Sequence, residues 1–468
     1  MGQELSLIPR NGQSMPAGRP LIYRLPPLEF ADRESIDLVA LTRIQDVQQP
    51  EPAITFQDEA EYLDNLNDGF ELNDGVENFN RDGAIESSGV PRNLIDDTFE
   101  GDRYNLELGN NFYAPPEDFS QGLVLYGKSI AMKVSGYVKV DLIHDFDPIG
   151  SKNLFDTTTI PVDALPRQNS RYQARQSRLN FDIRWPSTWG PVRMFVEGDF
   201  FNDQNYFRLR HAYGEVGNLI LGKTWTTFTS MEAMPATLDF EGAVSSVTRR
   251  AAQVRWTQPL IGDWLTAAVS VENPEIRLEL PDTVTPVTQT PDFIARIRWS
   301  PEWGQFQVAG VARQLGVQPE NQEVREALGW GFNFTGALLL NDANKFYYQI
   351  LFGDGIGSYR GLPDVALTGN QQKQASPLGT FGWMVGWKHE WTPQLTSNFT
   401  YSVSSINNLP GQVESDLKEN TYLAANVIWN PIERMFMGVE YLFGTRENKN
   451  WERGEANRVQ ASFGFYLP

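Results

Sequence analysis

The sequence predicts an all-β protein: a transmembrane antiparallel 16-stranded β-barrel behind an acidic, largely irregular N-terminal segment. Three observations lead there. From about residue 129 onward, apolar and polar residues alternate with period two over stretches of about ten residues. Aromatic residues gather beside the tight turns, as in Trp185, Trp189, Trp264, Trp299, Trp303, Trp391 and Trp429. The charge is divided: 24 of the 59 acidic and 8 of the 39 basic residues fall in 1–120, leaving 35 and 31 for the rest. Net charge is −20, and most of it belongs to the first quarter of the chain.

Composition excludes several classes. There is no cysteine, hence no disulfide, thiolate metal site or cysteine nucleophile. Mean hydropathy is −0.39, and no run approaches the ~20 apolar residues of a spanning helix. Net acidity argues against nucleic acid as a partner. Met1-Gly2-Gln3-Glu4-Leu5-Ser6 has neither the basic start nor the apolar core of a signal peptide. The chain is expected either to be cytosolic or to be a mature sequence restarted at a methionine, and its strands favour the second.

Residues 1–120 read as a separate extension. Residues 1–28 are Pro- and Arg-rich extended chain, and one short helix fits Asp32 to Gln48. Residues 50–120 are Asp-, Asn- and Gly-rich and read as solvated linker. A calcium loop is disfavoured, because with Gly69 as the loop glycine Leu66 stands where a ligand should be. No metal or other cofactor is expected.

Residues 121–468 form the predicted barrel, with strands near 129–146, 171–186, 191–202, 205–216, 218–228, 247–258, 263–273, 291–300, 304–315, 326–340, 344–354, 377–391, 395–407, 420–430, 434–446 and 457–467. Leu179-Asn180-Phe181-Asp182-Ile183-Arg184-Trp185 shows the pattern, one parity apolar and the other polar. Tight turns are expected at 186–190, 216–218, 260–263, 300–304, 341–344, 392–394 and 431–433. Each joins an even strand to the next odd one, which places all seven at one end. Short periplasmic turns, long external loops and an even strand count are the habit of outer-membrane barrels. Sixteen strands leave an aqueous channel.

The apolar parity must face lipid, so the charged parity faces the lumen. The expected pore-lining set is Arg178, Arg184, Arg193, Arg208, Arg210, Lys223, Arg249, Arg255, Arg296 and Arg298, with Lys133, Lys139 and Arg313. Asp141, Asp182, Glu197, Asp199 and Asp292 oppose them. A net basic lumen would attract small anionic solutes, arginine suiting carboxylate or phosphate. Pairs such as Arg184 with Asp182 or Arg193 with Glu197 could instead be structural. The connection after strand five, Thr229 to Gly242, contains Met231, Met234, Leu238 and Phe240 and reads as a loop folded into the barrel. Its acids Glu232, Asp239 and Glu241 would then face the basic wall at a constriction.

These residues resemble a family. Ser135-Gly136-Tyr137-Val138-Lys139, Phe207-Arg208-Leu209-Arg210-His211-Ala212-Tyr213, Leu221-Gly222-Lys223-Thr224-Trp225-Thr226, Phe352-Gly353-Asp354-Gly355-Ile356-Gly357 and Gly438 through Asn448 look like outer-membrane porins of Gram-negative bacteria, and more closely the DcaP-like family. The resemblance covers about three-quarters of the chain. It implies a homotrimer in the outer membrane with a positively charged constriction, admitting small anions such as dicarboxylates. By position the constriction would be Arg178, Arg208, Arg210 and Arg249, with Lys223 nearby. Two departures stand out: no heptad stalk precedes the barrel, and the chain ends Tyr466-Leu467-Pro468 where a terminal aromatic is usual.

An enzyme is not expected. His144, His211 and His389 lie on separate strands, and His211 falls on the lipid parity without a partner. Alternatives are a cation- or sugar-conducting porin with the N-terminal segment as plug, and a soluble β-rich binding protein. The N-terminal segment is expected on the periplasmic side, as a tether, or in the lumen.

Overall fold

The computed structural model describes residues 123–467, apart from 128, 203, 279–283 and 369–373. The short helix, the acidic linker and the calcium reading therefore lie outside the described residues, as does the division near residue 120.

Sixteen antiparallel strands form the wall: β1 Ala131–Asp145, β2 in two pieces (Asn169–Gln173 and Arg178–Ser187), β3 Gly190–Asp199, β4 Arg208–Val216, β5 Leu219–Trp225, β6 Arg250–Ile261, β7 Leu265–Glu272 and β8 Asp292–Trp299. The circuit continues with β9 Gly304–Pro319, β10 Arg325–Asn341, β11 Asn344–Asp354, β12 Gly379–Thr392, β13 Leu395–Asn407, β14 Leu417–Trp429, β15 Met435–Asn448 and β16 Arg453–Tyr466. Each pairs with its neighbours in sequence, and β1 closes the ring on β16 from Tyr137↔Tyr466 to Asp145↔Arg458. Closure pairs the strand edges that hydrocarbon could not solvate. Below the end of β16, the short strand Leu123–Tyr126 pairs with Ala131–Val134 and continues the wall along β1.

All seven tight turns join an even strand to the next odd one, as the spacing requires. Gly217 and Gly262 occupy two of them at φ 56° and 51°, a left-handed conformation that glycine adopts without steric cost. Beside the turns, Trp189, Trp264, Trp303, Trp391 and Trp429 are exposed on the outer surface, where amphipathic rings suit the membrane interface. Between rims the outer face is apolar, with Val138, Val254, Phe293, Ile297, Val439 and Phe463 among its residues.

Register slips occur near the ends of several strands, and one falls inside β4. In β4 the register slips between Glu197↔His211 and Gly198↔Leu209, so Arg210 is the extra residue of a β-bulge. The slip turns His211, Tyr213 and Glu215 into the barrel, where all three are buried. His211 thus leaves the lipid parity expected of it and meets Thr224 Oγ1 at 3.0 Å.

Among the described residues, the long connections after β1, β5 and β11 turn inward. The one after β5 was expected to do so; those after β1 and β11 were not. Phe155 and Ile160 of the first pack on Tyr422, Leu442 and Ala456. Ile356 and Tyr359 of the third pack with Phe228 and Val247 of the second. The core of this barrel is therefore loop against wall.

Candidate functional site: the lumen and its inward loop

On β2–β4 the inward residues form an interlocked ladder. Arg208 donates to both oxygens of Asp199 at 2.9 and 2.8 Å. Arg210 donates to Asp199 at 2.6 Å and to Glu197 at 3.2 Å, and Arg178 lies 3.5 Å from Glu197. Arg184 grips Asp182 with two hydrogen bonds of 3.1 and 3.0 Å. Arg193 donates to the same carboxylate at 3.2 Å and sits 3.6 Å from Glu215, where an ion pair with Glu197 had been an option. Five arginines thus meet four carboxylates, a surplus of one cation. Arg193 and Arg208 keep the most exposure, 21% and 15% of their side chains; Arg178 and Arg210 are buried.

The β6–β9 stretch draws some of its carboxylates from the connections between strands. Arg249, just before β6, donates to Asp292 at 3.0 Å, and Arg313 on β9 donates to the same residue at 3.2 Å. Tyr359 of the inward loop after β11 donates its hydroxyl to Asp292 at 2.7 Å. Arg298 donates to Gln307 Oε1, a neutral acceptor, at 3.2 and 3.0 Å. Arg255 and Arg296 face inward on β6 and β8 and are buried. The Nε and Nη2 of Arg255 have no hydrogen-bond partner in the protein. Glu272 and Asp292 are the inward carboxylates of these strands, and Glu275, just after β7, lies 3.5 Å from Arg249. With Asp364 of the same inward loop, 3.1 Å from Arg313, four carboxylates face these five arginines, a surplus of one as on β2–β4.

Lys223 is not in the lumen. In β5 the buried Ile220 and Thr224 alternate with the exposed Leu221, and Lys223 shares the parity of Leu221. Its rung neighbours are Ala212 and Ala252. The expected place among pore-lining cations is therefore corrected: two-residue periodicity carries this lysine outward.

The loop at 226–249 is held to the wall by its own backbone. Thr227 N donates to Glu272 at 2.8 Å, Gln307 donates to Thr229 O at 2.7 Å and Asn333 to Phe228 O at 2.8 Å. At the tip, Glu440 accepts from Leu238 N at 2.9 Å and Asp239 N at 2.7 Å. Lys139 and Gln460 each donate to Leu238 O at 2.7 Å. The return limb is fixed by Val244 N on Ser402 Oγ at 2.8 Å.

The three loop acids do not confront the arginine ladder. Asp239 is buried and accepts from Phe155 N, Glu241 N and Gly242 N, at 2.9, 3.0 and 3.3 Å. Glu232 lies 3.6 Å from Lys345 on β11, and Glu241 lies 3.5 Å from Arg360. Phe240, between the latter two acids in sequence, is the residue that meets the ladder. It stacks on Phe201 at 3.9 Å, with Arg208 and Arg210 over its ring at 5.6 and 5.7 Å. Burial, reinforced by the Asp156 carboxylate and opposed by Arg360, pushes the Glu241 carboxyl up to about 8.

Sequence reading missed Asp145, Glu215, Glu272 and Glu440 on the inner face, and Lys345 and Arg458 with them. Glu440 left a signal, a lone acid in the apolar run Val439 to Phe443. Glu215 was hidden by the bulge. Among the described residues, no group of His, Asp and Glu is placed to hold a metal.

Comparison with known proteins bears on this architecture. The family described as DcaP outer membrane protein matches residues 123–466. The outer membrane channel DcaP of Acinetobacter baumannii is similar in fold, with TM-score 0.66 and 20% identity over 74% of this chain and 99% of that one. An OmpT loop-deletion mutant from Vibrio cholerae gives TM-score 0.48, 11% identity, and 72% and 99% coverage. An anion-selective porin from Comamonas acidovorans gives 0.49, 10%, and 72% and 99%. No curated protein matches the sequence.

Proposed function

We propose that this chain, which belongs to the DcaP outer membrane protein family, is a passive channel that admits small solutes and prefers anions. The observation that carries the preference is the arginine surplus of the inner wall, where five arginines face four carboxylates on β2–β4 and Arg249, Arg255, Arg296, Arg298 and Arg313 face Glu272, Glu275, Asp292 and Asp364 on β6–β9. Guanidinium does not lose its proton in proteins, so the field persists at any physiological pH. Small carboxylates, dicarboxylates among them, suit it. The channel needs no catalytic group. A planar-bilayer reversal potential in a salt gradient tests the reading, and a preference for cations sinks it.

Self-association, as a homotrimer, is part of the proposal. β3, β4 and β5 have 10, 9 and 7 residues. At ~3.3 Å per residue and ~40° tilt, seven residues rise roughly 18 Å, short of the ~25 Å apolar band of a lipid-facing wall. A lysine on the lipid face near midplane costs ~2–4 kcal/mol, and Lys223 stands on this low stretch. A second copy of the chain would cover both. Native mass spectrometry in detergent tests this, and a monomer alone would remove it. Residues 1–120 are proposed as a periplasmic tether, because Leu123–Tyr126 joins β1 at its tight-turn end. Deleting them should leave conductance unchanged, and a rise would point to a plug.

A further inference from the structure

The inner face of β12 and β15 carries Gly382, Gly386 and Gly438 where a strand would gain from a larger residue. None of the three has a positive φ, so no backbone conformation demands glycine. What each lacks is room. A Cβ on Gly386 would lie 2.6 Å from Pro235 Cγ, on the outbound limb of the inward loop. One on Gly438 would lie 2.9 Å from Leu238 Cδ1 at the tip and as close to Val427 O of the neighbouring strand, and one on Gly382 2.9 Å from Ser245 Cβ on the return limb. The three contacts follow the loop out, around and back.

We propose that these glycines form a seat that sets the bore of the channel, by letting the loop lie closer to the wall than any side chain would permit. The inference rests on the channel reading and names its positioning residues. The hydrogen bonds that Gln349 donates to Ser245 O and Asn426 to Ala236 O, and those that Glu440 accepts from Leu238 N and Asp239 N, hold the loop down onto that seat. A methyl or isopropyl group beneath it must lift the loop into the lumen, because the tip is also confined by Phe155, Phe201 and Arg360. The seat is steric and neutral, so it governs how much passes and leaves charge preference to the arginines.

The test is the unitary conductance of Gly386→Ala, Gly386→Val and Gly438→Val, with reversal potential measured alongside. A stepwise loss of conductance with side-chain volume, at unchanged reversal potential, is expected. Adding Pro235→Ala to Gly386→Ala, where Pro235 Cγ makes the closest contact, should restore the conductance lost by the single variant, which a merely structural glycine would not allow. Unaltered conductance in folded Gly386→Val and Gly438→Val overturns the inference. Gly382→Ala, whose Cβ would meet Ser245 Cβ on the return limb, gives a second reading that does not depend on a bulky variant folding; a conductance below that of wild type is expected, and a wild-type value there would count against the seat. A wild-type chain that carries no current would overturn the channel reading itself.

Discussion

The inner faces of β2–β4 and of β12–β15 come from the same alternation and solve different problems. On β2–β4 the inward side chains are Arg178, Arg184, Arg193, Arg208 and Arg210 with Asp182, Glu197, Asp199 and Glu215. They form ion pairs with one another, and the loop brings the ring of Phe240 to Arg208 and Arg210. On β12–β15 the inward side chains include Thr400, Ser402, Asn426 and Glu440, with Gly382, Gly386 and Gly438 between. Several of them bond the loop backbone. One region is charged and self-paired; the other is small, mostly neutral, and completed by a foreign strand of chain. The comparison teaches that an inward arginine is not by itself a free charge. What it offers a solute depends on how many carboxylates share its row.

The sharpest way to break this comparison is Arg210→Ala. It leaves Glu197 and Asp199 short of a buried partner, and losing one member of a buried ion pair costs ~3–5 kcal/mol. A clear fall in the urea midpoint of the folded barrel is expected, and an unchanged midpoint would show that the ladder does not hold the wall. On the other face, Glu440→Leu removes the acceptor of Leu238 N and Asp239 N. Hydrogen bonds to a charged group contribute ~1.5–3 kcal/mol each, so the tip should loosen. Single-channel traces should become noisier, and a quiet trace at wild-type conductance would show the latch is dispensable. Arg255→Met sharpens the contrast between arginines. Its Nε and Nη2 lack a partner in the protein, so stability should hold or rise while anion preference drops. A destabilisation like that of Arg210→Ala would reveal a missed partner.

The smallest effect concerns pH. The Glu241 carboxyl is pushed up to about 8 by burial, from an ordinary value of 4.5. In the folded protein it stays protonated through neutral pH, while in the unfolded chain it ionises from about 4.5 upward. Its contribution to stability is therefore intact below that ordinary range and declines as pH rises toward 8. Above 8 the added negative charge beside Arg360 should weaken anion preference slightly. Reversal potentials across pH 6–9 would show this drift, and Glu241→Gln should abolish it; an equal drift in the variant would assign it elsewhere.

Much of the fold was legible. Period-two patterning located all sixteen wall strands within a few residues, because a pleated strand between lipid and water must alternate. Turn phase was equally secure, since tight and long connections differ in composition. The candidate site was legible only in part. The adjacent Arg210 and His211 both face inward because Arg210 occupies a bulge, and no local pattern announced that slip. Lys223 was misplaced because parity was not carried through a short strand. The inward turn of the loops after β1 and β11 was invisible, as each is fixed by contacts such as Phe155 with Tyr422 and Tyr359 with Asp292 that join residues far apart in sequence.

The sequence by itself determined which parity meets lipid, how many strands circle the barrel, and that arginine dominates the inner face. Those are consequences of local periodicity and of the cost of charge in hydrocarbon. Only the tertiary structure decided which arginines are neutralised, which acids hold the loop instead of facing the ladder, and where glycine makes room. Each of those depends on rows that cross several strands, and a row brings together residues that one-dimensional order keeps apart.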